Sequence, residues 1–133
     1  MGNGTGLGRV RGLGSSKSGT QHFVMQRLTA IANIVLMTWL LVSFVVTDFT
    51  TVDALKRWIG SPFAAVPLAL LVISVFTHFR LGLTVLIEDY LHDEAGKLSA
   101  LVALTFFSWG GMIFALFCIA KLALVGALPN AGQ

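Results

Sequence analysis

Charged residues are scarce in this sequence, and their scarcity excludes most soluble folds. Of its 133 residues only 11% are Asp, Glu, Lys or Arg, whereas soluble domains carry about 25%. Hydrophobic residues make up 56% of the chain, and the mean hydropathy is +0.84. A soluble domain of this length could not bury so much apolar surface. The composition therefore predicts a membrane protein with a single membrane domain.

Other features are also missing. The single cysteine, Cys118, excludes an intramolecular disulfide, and in an apolar stretch it is expected to be an inert packed residue. No internal repeat relates the apolar segments, which disfavours the transporter folds that are built from repeats. The glycine-rich start of the chain lacks the Lys-Ser/Thr end of a phosphate-binding loop. The apolar run that follows it is too long for a secretory signal.

Three apolar segments are long enough to cross a bilayer, which takes about 20 residues. We predict spans at about 28–46, 66–87 and 98–125, and hence an all-α membrane protein with three transmembrane helices. Residues 1–20 are glycine-rich and basic and cannot form a core, so the transmembrane anchor domain is assigned to residues 21–133.

Basic residues near the membrane ends predict the orientation of the spans. Four of them precede the first span, which places the N-terminus in the cytoplasm and the C-terminus in the periplasm: Arg9, Arg11, Lys17 and Arg27. The loop at 47–65 would then be external and the loop at 88–97 cytoplasmic. The predicted location is the inner (cytoplasmic) membrane.

One histidine, His78, lies inside the second predicted span. An ionisable residue at membrane depth is costly and is therefore a functional candidate. Its imidazole could ligate haem iron or hydrogen-bond a neighbouring helix; the histidine alone favours neither, and its neighbours favour the ligand. No second histidine lies at membrane depth, so a bis-histidine haem would need its other ligand from another subunit. Gly82, one turn on, would let a flat macrocycle pack closely, and Arg80 could pair with a carboxylate.

The same span ends at Asp89 and Tyr90. Eleven residues separate His78 from Asp89, which puts them on nearly one helix face, about 16 Å apart along the axis. Tyrosine at a membrane edge is most often an anchor, and the residues alone favour that interpretation. The alternative is a quinone pocket, in which the phenol donates a hydrogen bond and the carboxylate supplies protons.

Arg27 opens the first span. A basic residue in this position is most often an interfacial anchor, but it could instead clamp a propionate from within a helical bundle. Gln26, Thr29 and Asn33 make this end of the helix more polar than lipid contact needs. They predict that one face of the helix turns inward.

Together these residues resemble the hydrophobic membrane anchor subunits (SdhD) of succinate dehydrogenase, respiratory complex II. The resemblance covers nearly the whole chain and is closest to alphaproteobacterial or mitochondrial members. It rests on Gln-Arg-Leu-Thr-Ala-Ile at 26–31, on Trp-Ile-Gly at 58–60, and above all on a histidine followed after ten residues by Asp-Tyr.

The resemblance implies one half of a heterodimeric haem-binding helical bundle. His78 would be an axial ligand of the haem b iron, Arg27 would lie near the haem propionates, and Tyr90 with Asp89 would form part of a ubiquinone site. The implied partners are the cytochrome b subunit SdhC, the iron–sulfur subunit SdhB and the flavoprotein subunit SdhA, in which succinate would be oxidised.

Other functions stay open beside this one. The chain could anchor a quinol:fumarate reductase, which would run the same electron path in reverse. A small proton-coupled transporter protomer would use His78 and Asp89 as a proton relay. A purely structural membrane subunit would need neither residue for chemistry.

Overall fold

Four α-helices make up the computed structural model, which describes residues 17–127. In chain order they are α1 Lys17–Val46, α2 Val52–Gly60, α3 Pro62–Tyr90 and α4 Glu94–Ala127. The helices long and apolar enough to cross a membrane are α1, α3 and α4. Residues 17–127 contain no strand. The prediction of an all-α protein with three spans is therefore confirmed.

Each membrane helix extends beyond its apolar segment. α3 begins at Pro62 rather than near Val66, and α1 begins at Lys17, inside the predicted N-terminal segment. A helix satisfies its own backbone hydrogen bonds, so it can continue into the headgroup region at little cost. Proline suits the first turn of α3, where its missing N–H is not needed. Residues 1–16 and 128–133, with the predicted periplasmic C-terminus, lie outside the described residues.

α3 is the central helix. α1 packs against it on one side and α4 on the other, and within residues 17–127 α1 and α4 do not pack against each other. Gly111 of α4 lies directly against the ring of Phe76 of α3, where an added Cβ would stand 2.7 Å from Cε1. The missing side chain of Gly111 therefore permits close packing of α4 on α3, whereas Gly110 faces open space.

The short helix α2, which the hydropathy pattern does not predict, lies in the loop between the first two spans. Thr51 caps its start, because Oγ1 accepts a hydrogen bond from the backbone N–H of Ala54 at 3.2 Å. Asp53 adds a favourable negative charge in the first turn. At the other end, the backbone of Lys56 and Gly60 abuts Gly126 of α4. α2 is therefore packed onto the bundle.

An aromatic cluster joins α2 to the end of α1. Trp58 stacks on Trp39 with ring centroids 5.9 Å apart, and Phe44 and Phe49 approach the same indole at 6.3 and 5.2 Å. Such pairs each stabilise by about 0.5–1.5 kcal/mol beyond their buried area. The Trp-Ile-Gly motif at 58–60 is thus a packing unit: an aromatic ring against α1, a buried isoleucine and a glycine against α4.

Most of the apolar surface of the spans is uncovered in the isolated chain. Of the 18 most apolar consecutive residues in each span, only 6–11% are buried. The two helices that flank α3 cannot cover each other. Helix association in a bilayer depends on packing and hydrogen bonding rather than on hiding apolar surface from water. The uncovered surface therefore suits lipid and neighbouring transmembrane helices.

Candidate functional site

His78 lies on the face of α3 that packs against α1. Its Nδ1 is 3.1 Å from Oγ1 of Thr29. One turn earlier on α3, Ser74 Oγ donates a hydrogen bond to the Thr29 carbonyl at 3.2 Å. Thr29 and Ser74 are both buried and His78 is half-buried. These two side-chain contacts join α1 to α3 within the described part of the chain.

The inward polar face of α1 that the sequence predicted is confirmed. Thr29 is buried, Gln26 and Asn33 are half-buried, and Oδ1 of Asn33 is buried with no hydrogen-bond partner among residues 17–127. His22 lies on the same face, two turns before Thr29, and its Nε2 is likewise buried and unpaired within that range. Buried polar atoms of this kind call for a water, ligand or neighbouring chain.

The structure gives Gly82 a different neighbour from the one expected. An added Cβ would lie 3.8 Å from Nε2 of Gln26, an ordinary van der Waals distance. Among the described residues outside α3 no other atom lies within 4 Å of that position, so the Gln26 amide borders the space beside Gly82 without filling it.

Arg80 faces the opposite side of α3, about 200° around the helix from His78. It lines a cavity of about 40 Å³ between α3 and α4, together with Phe76 and Ser108. A water needs about 10–15 Å³, so the cavity admits a few waters and is far too small for haem or quinone. Among the described residues no carboxylate pairs with Arg80, so the structure does not supply the partner that the sequence suggested.

Asp89 and Tyr90 form the last turn of α3, three turns beyond His78. The helix stops there because Leu91 is extended, and its N–H caps the Ile87 carbonyl at 3.0 Å. Tyr90 is 76% exposed, and Asp89 is exposed as well. Neither side chain hydrogen-bonds to another residue within 17–127, so both polar groups are open to a ligand or a partner.

The turn that follows is held by specific hydrogen bonds. Asp93 caps α4, since its Oδ2 accepts a hydrogen bond from the backbone N–H of Gly96 at 2.7 Å. Lys97 Nζ donates to the Glu88 carbonyl at 3.3 Å and so ties the start of α4 to the end of α3. The acidic loop is thus partly structural, and it gives Asp89 and Tyr90 a defined backbone position.

Arg27 lies on the exposed side of α1. Its guanidinium carbon is 5.1 Å from the ring centroid of Phe23. At 100° per residue Arg27 is about 160° around α1 from Thr29, so this chain does not bring Arg27 and His78 together. A propionate contact stays a prediction and depends on a group from outside the chain.

The donor set around His78 fits one half of a haem site. Residues 17–127 hold no group of three His, Cys, Asp or Glu side chains that could bind a bare metal ion. They do supply one imidazole at membrane depth, with Nδ1 engaged and Nε2 in none of the hydrogen bonds of the described residues. An engaged second nitrogen is the usual state of a metal-ligating histidine. The surroundings of His78 are therefore compatible with its imidazole as one axial ligand of a haem iron.

Fold and polar residues define a class of protein: a three-span membrane subunit with an imidazole at membrane depth and an open phenol–carboxylate pair at one edge. The family model of the succinate dehydrogenase/fumarate reductase transmembrane subunit matches residues 1–123. The chain belongs to this family.

Curated relatives agree with this assignment. The succinate dehydrogenase hydrophobic membrane anchor subunit of Rickettsia bellii is 31% identical over 100 residues, which cover 75% of this chain and 80% of the relative. The subunit of the same name from Paracoccus denitrificans is 30% identical over 115 residues, with coverages of 86% and 88%. No solved structure matches. The predicted resemblance to alphaproteobacterial anchor subunits is thereby confirmed.

Proposed function

We propose that this chain is the membrane anchor of a succinate:ubiquinone oxidoreductase and carries half of a haem b site and part of a ubiquinone site. The supporting observation is the placement of His78, held by Thr29 at membrane depth. The same helix presents Asp89 on nearly the same face, about 16 Å further along its axis, and Tyr90 follows in the same turn, about 120° around the helix from His78. One rigid helix can therefore position both a cofactor ligand and a quinone-binding pair.

His78 is the axial haem ligand in this proposal, through Nε2. The second axial ligand comes from the cytochrome b subunit SdhC, because this chain offers no second imidazole at the same depth. When bound, haem b supplies a one-electron carrier within the membrane. Arg27, which is exposed and near the start of the first span, would pair with a haem propionate.

Tyr90 and Asp89 act at the quinone. Reduction of ubiquinone to ubiquinol consumes two electrons and two protons, so the site needs a hydrogen-bond donor for a carbonyl oxygen and a route for protons from water. The Tyr90 hydroxyl donates to a quinone carbonyl, and the Asp89 carboxyl passes protons from the aqueous edge. Exposure of both side chains in the isolated chain supports a pocket completed by partner subunits.

The partners in this proposal are those that the family resemblance implies. The iron–sulfur subunit SdhB and the flavoprotein subunit SdhA dock on the cytoplasmic side, beside the edge formed by Asp89 and Tyr90, and succinate is oxidised in SdhA. The family also includes fumarate reductase subunits, which would run the electrons from quinol. The relatives described above are succinate dehydrogenase anchors, which favours the succinate-oxidising direction.

Replacement of His78 by Ala tests the proposal. In the purified complex, we expect the dithionite-reduced absorption spectrum to lose its b-type haem signal or the oxidised haem to become high-spin, because one axial ligand is gone. His92→Ala is the matched control, since His92 is exposed in the loop after α3. An unchanged low-spin spectrum in His78→Ala would rule out His78 as the ligand.

A further inference from the structure

We propose that Thr29 is a positioning residue for the haem: its hydroxyl holds His78 in the tautomer with the proton on Nδ1, which leaves the Nε2 lone pair free for iron. This inference rests on the proposed function of His78 as an axial ligand. Thr29 lies on a different helix and does not itself touch the iron.

The hydroxyl of Thr29 has three polar neighbours. Its Oγ1 is 2.9 Å from the carbonyl oxygen of Met25, 3.1 Å from that of Gln26 and 3.1 Å from Nδ1 of His78. A hydroxyl carries one proton and two lone pairs, and a carbonyl oxygen can only accept. The direction of that single proton therefore decides the tautomer of the imidazole.

Only a proton directed toward the two carbonyl oxygens keeps the Thr29 lone pairs from facing both of them. If Thr29 donated to Nδ1, its lone pairs would face two carbonyl oxygens at short range, which is repulsive. If Thr29 instead donates back to its own helix, with the proton shared between the Met25 and Gln26 carbonyls, as helical threonines commonly do, a lone pair is left facing His78. Nδ1 must then carry the proton and donate it to Oγ1, so Nε2 is unprotonated.

The surroundings keep this arrangement in place. Thr29 is 8% exposed, so little water can compete for its hydroxyl. The hydrogen bond from Ser74 to the Thr29 carbonyl fixes the two helices relative to each other one turn from the imidazole. An engaged Nδ1–H orients a ligating ring and raises its basicity. A more basic ligand favours ferric over ferrous iron, so it lowers the haem midpoint potential.

Thr29→Val in the intact complex tests the inference, since valine keeps the shape of the side chain and removes the hydroxyl. We expect haem retention to weaken by about 10- to 100-fold, as for other lost partners of metal-ligating histidines. The potential should also rise. A tenfold loss of affinity confined to ferric haem corresponds to about 59 mV for a one-electron couple. The low-spin electron paramagnetic resonance signal should shift or broaden, because the ring is less firmly oriented.

Two further variants on α1 serve as controls for Thr29→Val. Thr29→Ser restores the hydroxyl and should restore the potential and the resonance signal. Thr38→Val removes a threonine hydroxyl that back-bonds in the same way, to the Ile34 carbonyl at 2.7 Å, but lies far from His78. It should leave both readouts unchanged. If Thr29→Val does not assemble, Thr29→Ala removes the same hydroxyl with less bulk.

Other outcomes would overturn the inference. One such outcome is that Thr29→Val and Thr29→Ala keep the unaltered haem potential and resonance signal, while His78→Ala loses its low-spin haem. That result would refute the role of Thr29 and leave His78 as the ligand. A Ser74→Ala complex that shifts as far as Thr29→Val would assign the effect to helix packing. A low-spin haem that survives His78→Ala refutes the proposed ligand itself, and the role of Thr29 with it.

Discussion

Removal of the Tyr90 hydroxyl tests the quinone site with little disturbance to the fold. In the structure Tyr90 is 76% exposed at the end of α3, and its hydroxyl forms no hydrogen bond with residues 17–127. Tyr90→Phe therefore breaks no hydrogen bond within residues 17–127. An effect of the substitution on quinone reduction would therefore come from a group beyond residues 17–127, and we expect that group to be a bound quinone.

The expected size of the effect follows from the loss of one hydrogen bond. A donor lost from a partly dry pocket leaves the quinone carbonyl unpaired, which costs about 1–3 kcal/mol. Because each 1.4 kcal/mol is a factor of ten, the quinone-linked rate should fall roughly 5- to 150-fold. The protein that carries the variant should be as abundant and as heat-stable as the unaltered complex.

The assay compares two activities in membranes with matched complex content. Succinate oxidation coupled to ubiquinone should fall, whereas oxidation with an artificial acceptor that takes electrons from the soluble subunits should stay normal. Ser99→Ala is a suitable control, since it removes an exposed hydroxyl near the same end of the bundle, bonded only to the Gly96 carbonyl. A parallel loss of both activities in Tyr90→Phe would mean a role in assembly. No loss in either would make Tyr90 an interfacial anchor.

Asp89→Asn should follow the same pattern if the carboxylate carries protons. The ubiquinone-linked rate should fall while the artificial-acceptor rate does not, and the loss should grow as the pH is raised and protons become scarcer. A quinone-linked rate equal to that of the unaltered complex at every pH would exclude the relay.

Three further predictions address the rest of the chain. Arg27→Ala should weaken haem retention and Arg27→Lys should do so less, as measured by haem per complex; equal retention in both would leave Arg27 as an anchor. Gly111→Ala should lower the thermal midpoint relative to Gly110→Ala, because only the first meets Phe76 and overpacking costs about 1–3 kcal/mol; equal midpoints would contradict the described packing. In a chain without Cys118, a cysteine in the 88–97 loop should be labelled from the cytoplasm and one in the 47–51 loop from outside, and the reverse would invert the predicted orientation.

The transmembrane helices could be predicted from sequence because their signal is local. Each span is a continuous apolar run, and length alone decides whether it can cross the bilayer. The ends could not be placed as well, since α1 and α3 continue through polar or proline-containing residues that hydropathy excludes. The short helix α2 was missed for a related reason. Its Thr51 cap and Asp53 are present in the sequence, but its stability depends on Trp58 meeting Trp39 and on Gly60 meeting Gly126.

The candidate site could likewise be predicted only in part from the sequence. His78, Asp89 and Tyr90 could be picked out because each is unusual for its place along one helix. The polar face of α1 was also visible in the sequence, but its contact with His78 was not. That contact depends on the antiparallel register of α1 and α3, which sets Thr29 beside His78 and Gln26 beside Gly82. No periodicity within a single helix encodes a register between two helices.

The central position of α3 explains how this helix accommodates two ionisable residues, His78 and Arg80, within its span. A charged or titratable side chain at membrane depth needs a protein neighbour rather than lipid. His78 faces α1 and meets the Thr29 hydroxyl, while Arg80 faces α4 and shares a small cavity with Ser108. Only a helix flanked on both sides can shelter two such residues on opposite faces. Because His78 is half-buried and not enclosed, its ring remains partly accessible from outside the chain, as a cofactor shared with a second subunit requires.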